Sequence, residues 1–189
     1  MPSPLPPSPA TAAPLWRRWR LGLATACLGL GLAGASLAQS APYAEVQRLI
    51  DARQLGAALQ QADSYLAERP RDPQMRFLKG VIETAQGRDD DALGTFNALT
   101  QDYPELPEPY NNLAVLHAKR LQLDQARAAL EMALRLNPRY ATAQRNLGDL
   151  HGRLALQAYQ EALQLNPDQP DLRARLAALQ TALSTPSAP

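Results

Sequence analysis

The chain has 189 residues, of which 46% are hydrophobic and 20% charged, and its 19 basic and 18 acidic side chains leave a net charge of +1. A nearly neutral chain without a stripe of Lys and Arg offers no phosphate footprint, which argues against nucleic-acid binding. Its single cysteine, Cys27, excludes an internal disulfide and a cysteine-based zinc site, and its two histidines argue against a histidine-rich metal site. We predict no metal and no cofactor.

The N-terminus has the pattern of an export signal. Residues 1–14 contain six prolines and are predicted to be disordered. Arginines within residues 17–20 are followed by an uncharged run, residues 21–38, which ends in a small-x-small exit at Ala38. This order predicts a signal peptide cleaved near Ala38 and a periplasmic or secreted chain. The sequence leaves open an uncleaved segment that anchors the chain in the inner membrane.

The rest of the chain repeats with a fixed period. Three prolines follow one another at an interval of about 34 residues, and three alanines follow one another at the same interval. Such a period predicts an array of helical units that bury their apolar faces by stacking on one another. The recurring residues are Pro70, Pro104, Pro138, Ala58, Ala92 and Ala126.

This period and pattern resemble the tetratricopeptide repeat family, whose unit is a helix–turn–helix of about 34 residues. The best match is residues 107–140, where Ala114 and Ala126 take the small positions and Pro138 ends the unit. The run from Phe77 to Asn112 also resembles exported proteobacterial repeat proteins. The resemblance implies an all-α, right-handed helical solenoid. Its expected parts are units near 39–72, 73–106, 107–140 and 141–169, a capping helix over 170–183, and a tail over 184–189.

The fourth unit is shorter than the others. Pro167 comes five residues too early to continue the series formed by Pro70, Pro104 and Pro138. The apolar residues between Pro138 and Pro167 are spaced by three or four without interruption, which leaves no room for a turn. We therefore predict one continuous helix from about 141 to 166, although a hairpin turning at Gly152-Arg153 stays open. The stripe consists of Leu147, Leu150, Leu154, Ala158, Ala162 and Leu165.

No motif in the sequence indicates catalysis. A glycine-rich phosphate loop, a zinc-binding histidine pair and a serine elbow are all missing from it. His117 and His151 are one repeat period apart, and we interpret them as replacements for an aromatic residue at a partly buried position. Residues 89–91 are three consecutive aspartates, which we interpret as a helix start and not as a calcium site.

The resemblance also implies a binding face, because in this family the first helix of each unit lines a concave groove. Asn112 and Asn146 share one repeat position and are predicted to hold an extended peptide, since an amide both donates and accepts hydrogen bonds. Arg145 and Arg153 are predicted to bind an acidic side chain or a terminal carboxylate. The predicted binding residues are Phe77, Leu78, Val81, Asn111, Asn112, Val115, Lys119, Arg145, Asn146, Asp149 and Arg153.

The sequence thus predicts a non-enzymatic interaction module of the bacterial envelope. Its expected partner is an envelope protein or peptide, with no nucleic acid, and with a membrane only through an uncleaved signal segment. Two alternatives stay open. One is a membrane-tethered scaffold that forms a homo-oligomer through its long fourth helix, and the other is an accessory subunit of an envelope enzyme complex.

Overall fold

A computed structural model of the protein describes the backbone of residues 34–184 and the side chains of residues 41–184. Residues 1–33, which hold the predicted leader and most of the predicted signal peptide, lie outside the described residues. The part of the predicted tail after Ser184 also lies outside them. Within the described part, no helix combines the length and apolar character needed to cross a membrane. The described helices are α1 (Gly34–Asp51), α2 (Leu55–Glu68), α3 (Pro73–Ala85), α4 (Asp89–Asp102), α5 (Pro107–Lys119), α6 (Leu123–Leu136), α7 (Ala141–Leu165) and α8 (Pro170–Ser184).

Helices α1 to α6 form three hairpins, and each hairpin turns through one left-handed residue. Arg53, Gly87 and Leu121 have φ values of +58°, +75° and +59°, and each lies one repeat period after the previous one. In the third turn the backbone N–H of Gln122 donates to the carbonyl of His117 at 2.9 Å, which satisfies the end of α5. Glycine adopts this conformation readily, whereas a side chain with a Cβ is strained there by about 1 kcal/mol.

Small residues allow the two helices of a hairpin to touch. Ala58, Ala92 and Ala126 are completely buried, which fits the small-residue positions of the repeat. At Gly80 an added Cβ would stand only 2.6 Å from Cζ of Phe96, a fully buried side chain of α4. Glycine at this position therefore lets α3 and α4 approach while Phe96 fills the space between them.

A polar cluster joins the first hairpin to the start of α3. Asp72 caps α3, because its Oδ1 accepts a hydrogen bond from the backbone N–H of Met75 at 2.7 Å. Its Oδ2 accepts from the hydroxyl of Tyr43 at 2.6 Å, and the hydroxyls of Tyr43 and Tyr65 lie 2.9 Å apart. Burial and the neighbouring Asp72 carboxylate raise the pKa of Tyr43, so this phenol stays neutral.

The fourth unit does not turn. Helix α7 runs for 25 residues without interruption, which confirms the continuous helix predicted from the apolar stripe. Helix α8 confirms the predicted capping helix and folds back on α7, so that Leu183 Cδ2 would lie 3.0 Å from a Cβ added at Gly152.

The expected stripe along α7 is buried only in its first half. Ala143 and Leu150 are the buried residues of α7, and α8 has none. Leu165, which the stripe placed on the apolar face, is 89% exposed. The second half of α7 is therefore covered only partly by the neighbouring helices.

Candidate partner-binding face

The predicted binding residues all lie on α3, α5 and α7, the helices that open the second, third and fourth units. Side chains spaced by three or four residues share one side of a helix. On α5 these are Asn112, Val115 and Lys119, and on α7 they are Arg145, Asp149 and Arg153. We call these six residues the α5–α7 face.

Helix α3 contributes much less open surface than the sequence predicts. Leu78 is buried in the core formed by α1, α2 and α3, so its predicted place in the groove has to be corrected. Phe77 is half-buried, and its ring centroid lies 5.8 Å from that of Phe96. Val81 packs against the same core cluster as Phe96. These apolar side chains stabilise the stack of units, because burying them removes apolar area from water.

The side-chain amide groups of the asparagines on α5 and α7 form hydrogen bonds within the protein. Nδ2 of Asn146 donates to Oδ1 of Asn111 at 2.8 Å, which joins α7 to α5. Asn111 is only 6% exposed, so it braces two units and does not line the groove as predicted. A buried amide requires such a partner. Nδ2 of Asn112 donates to the carbonyl of Glu108 in its own helix at 2.9 Å.

Lys119 also pairs with another residue of the chain, although its side chain is exposed. Its Nζ lies 2.6 Å from Oδ2 of Asp89, and the guanidinium of Arg120 lies 2.6 Å from Oδ1 of Asp90. The aspartates at 89–91 form the first turn of α4, where negative charge interacts favourably with the helix dipole. This confirms the predicted helix start, and the end of α5 is held against it. Among the described residues, no three His, Cys, Asp or Glu side chains cluster as metal ligands.

The remaining members of the α5–α7 face are open to solvent. Val115 is 44% exposed, and it is the large apolar side chain of this face that is open to solvent. Arg145, Asp149 and Arg153 are exposed on α7. Within residues 41–184 none of these three side chains takes part in an ion pair. The face therefore combines an exposed apolar side chain with charges that are available to a ligand.

The repeat position shared by the two histidines is partly buried, as predicted, in the third unit but not in the fourth. His117 is half-buried, and its Nδ1 lies 2.8 Å from Oε1 of Gln122, whereas His151 is exposed. Sequence reasoning missed Glu83, which occupies the same position one unit earlier. Its buried carboxylate accepts a hydrogen bond from the hydroxyl of Thr95 at 2.7 Å, so it links α3 to α4. The repeat period was the signal that could have identified it.

Sequence reasoning also missed a surface depression of about 330 Å³ between the α5–α6 turn and the second half of α7. We call it the α6–α7 pocket. Its signal in the sequence was the shortening of the fourth unit, which carries α7 past this turn. The pocket is lined by Leu121, Leu123, Asp124, Leu154, Gln157, Ala158 and Glu161.

Known proteins share both the sequence pattern and the fold. The chain is 34% identical over 109 residues to the chloroplastic tetratricopeptide repeat domain-containing protein PYG7 of Arabidopsis thaliana. The match covers 55% of this chain and 32% of that protein, so the chain spans only a minor part of its relative's length.

Solved structures of repeat proteins superpose on the chain. A thermophilic TPR protein of Thermus thermophilus is 25% identical with a TM-score of 0.59, and the match covers 77% of this chain and 82% of that one. The first TPR of Spaghetti (RPAP3), bound to the HSP90 peptide SRMEEVD, is 14% identical with a TM-score of 0.57 and shows the shared fold. That match covers 66% of this chain and 99% of the other.

The family model described as Tetratricopeptide repeat matches residues 43–107 and 111–170, well over half of the chain. It spans all three hairpins and the shortened fourth unit. The all-helical solenoid expected from the repeat period is thereby confirmed. This chain belongs to the tetratricopeptide repeat family.

Proposed function

We propose that this chain binds a segment of another protein along the α5–α7 face and carries out no covalent chemistry of its own. Membership of this family suggests a protein–protein interaction module. We propose in addition where on this chain the partner binds and what kind of segment it presents. The observation that carries it is the exposure of Val115 beside charged residues that have no partner within the described part of the chain.

The chemistry of the face defines the segment. A partner gains free energy by covering Val115, because that contact removes apolar area from water. Arg145 and Arg153 lie one turn to either side of Asp149 and leave their guanidinium groups open to a carboxylate. The preferred segment therefore carries an apolar side chain and an acidic group. In its solved structure, the RPAP3 domain of the same fold is bound to the peptide SRMEEVD.

We further propose that binding takes place in the bacterial envelope. The support is the export pattern of residues 17–38 in the sequence. N-terminal sequencing of the chain from the envelope fraction is expected to start at Gln39. A chain that keeps its N-terminus in the inner-membrane fraction would favour the anchored alternative.

In-cell photo-crosslinking tests the binding face. A photo-reactive residue at Val115 is expected to capture a partner that mass spectrometry identifies. The control is the same residue at Arg127, which is exposed on α6. Partners captured equally from both positions, or from Arg127 alone, would contradict the proposal.

The role of the charges is tested on the partner identified in this way. The double variant Arg145→Ala/Arg153→Ala is expected to weaken its binding about tenfold or more, since charged hydrogen-bonded contacts are worth about 1.5 kcal/mol and upward. Arg127→Ala/Arg135→Ala removes the same charge from α6 and is expected to leave the affinity unchanged. Equal losses in both variants would indicate a general electrostatic effect without a specific site.

A further inference from the structure

We propose that the α6–α7 pocket is a second docking site, separate from the α5–α7 face. Its occupant is a segment of a partner protein that inserts one bulky apolar side chain and places Lys or Arg next to it. The inference uses none of the residues of the α5–α7 face, so it stands or falls independently of the proposed function.

The floor of the pocket is apolar and packs against the hydrophobic core. Leu123 and Leu154 line it and are half-buried. Both pack against the core cluster that contains Leu130 and Leu150, so the floor continues the interior of the third and fourth units. A volume of about 330 Å³ lies at the small end of ligand-sized cavities and suits an inserted side chain.

The rim is negatively charged. Asp124 and Glu161 contribute carboxylates, and the lining contains no Lys or Arg. The Asp124 carboxylate is 2.9 Å from the guanidinium of Arg127, but both side chains are exposed, and such a pair contributes little to stability. A basic side chain on the partner therefore finds complementary charge at the mouth of the pocket.

Leu121 supplies an independent argument. It is 77% exposed, lines the pocket and has a left-handed backbone, although glycine stands at the same repeat position in the second unit. An exposed leucine in this conformation is unfavourable because its apolar side chain is exposed to water. Its backbone is also strained, since the Cβ atom crowds the neighbouring carbonyl oxygen. Arg53 has the same backbone conformation in the first unit, so the exposed apolar side chain of Leu121, and not its backbone, points to a partner. A segment that inserts beside Leu121 would cover the exposed side chain.

Peptide display tests the proposal before any natural partner is identified. A library of random peptides is selected against the full chain, and the expected winners combine a bulky apolar residue with neighbouring Lys or Arg. Ala158→Arg fills the exposed wall of the pocket and repels a basic peptide, so it is expected to weaken the binding of these peptides about tenfold or more. Ala128→Arg is the matched control at an exposed position of α6 and should leave the affinity unchanged. Circular dichroism and thermal unfolding verify that both variants fold.

A second pair of variants separates binding from stability. Leu121→Gly removes both strain and side chain, so we expect higher thermal stability together with at least a several-fold loss of peptide affinity. Arg53→Gly relieves the same strain in the first unit and is expected to stabilise without any effect on affinity. If Leu121 had only a structural role, the more stable Leu121→Gly variant would bind the selected peptides at least as tightly as the unchanged chain.

Several results would overturn the proposal. One is the absence of enriched peptides, or the enrichment of acidic ones. Another is a peptide affinity that is unchanged in Ala158→Arg, or one that is lost in Arg145→Ala/Arg153→Ala and not in Ala158→Arg. If no peptides are enriched and the chain forms concentration-dependent dimers that Ala158→Arg dissociates, the pocket would be assigned to a second copy of this chain.

Discussion

The third and fourth units begin alike and end differently. Leu113 and Leu147, and likewise His117 and His151, are one repeat period apart, and both units continue to a basic residue, Lys119 or Arg153. After this point the third unit has the residues 120–124, which form the turn and the start of α6. The fourth unit is five residues shorter and continues as α7.

The difference shows what the turn of a repeat contributes. In the third unit α6 folds back and buries Ala126, Leu130 and Ala133. In the fourth unit no residue of α7 beyond Leu150 is buried. Burial of one large apolar side chain contributes about 1.5–3 kcal/mol, so the loss of the turn removes much of the tertiary stabilisation from this end. The same loss leaves the α6–α7 pocket open.

The largest expected effect comes from restoring the turn. Insertion of Arg-Leu-Gln-Leu-Asp between Arg153 and Leu154 gives the fourth unit the length of the third. We expect α7 to end near Arg153 and a second helix to fold back, because the inserted residues supply the turn of the third unit. Backbone chemical shifts would locate the break. Five inserted alanines are the control and should lengthen the helix, and a continuous helix with both insertions would contradict this interpretation of the turn.

Hydrogen exchange compares the two units without any mutation. Amides of α7 after Leu154 are expected to exchange about a hundredfold faster than those of residues 126–133 in α6, since helices with little buried apolar area open at lower free-energy cost. Mass spectrometry after pulsed deuterium labelling measures both segments in one sample. Equal protection would mean that α8 covers the end of α7 as well as a repeat covers α6.

Glycines at one repeat position provide a third test. Gly80→Ala is expected to reduce the free energy of unfolding by about 1–2 kcal/mol, because the new methyl group would collide with the buried ring of Phe96. Gly148 lies two units later and has no atoms within 4 Å of an added Cβ. Gly148→Ala is therefore expected to stabilise by about 0.5–1 kcal/mol through helix propensity. Urea unfolding measures both, and a change of the same sign in both variants would contradict the packing argument.

The smallest expected effect concerns the turn residue itself. Leu121→Gly should stabilise the chain by about 1 kcal/mol, because glycine adopts the left-handed conformation without strain. Ala155 lies one repeat period later but within α7. Ala155→Gly is expected to destabilise by about 1 kcal/mol, since glycine disfavours a helix interior. Thermal and urea unfolding would reveal the opposite signs, and two losses would show that Leu121 packs more tightly than its exposure indicates.

Part of the candidate site could be predicted from the sequence and part could not. Asn112, Val115, Arg145, Asp149 and Arg153 lie on the first helices of their units, as the repeat register predicts. The register does not reveal how far each side chain is covered by the neighbouring unit. Leu78 is buried against the first hairpin, and Asn111 is hydrogen-bonded to Asn146. Neither contact can be recognised from the residues next to it in the sequence.

By itself, the sequence determined the helical units, their period and the continuous fourth helix. These follow from properties of neighbouring residues, namely helix periodicity, small residues at fixed spacing and a deletion of five residues. Only the tertiary structure decided which side chains are covered, how Asn146 pairs with Asn111, and that α7 leaves a pocket beside Leu123 and Leu154. The physical reason is that burial and pairing depend on atoms far apart in the chain, which meet only when the helices pack.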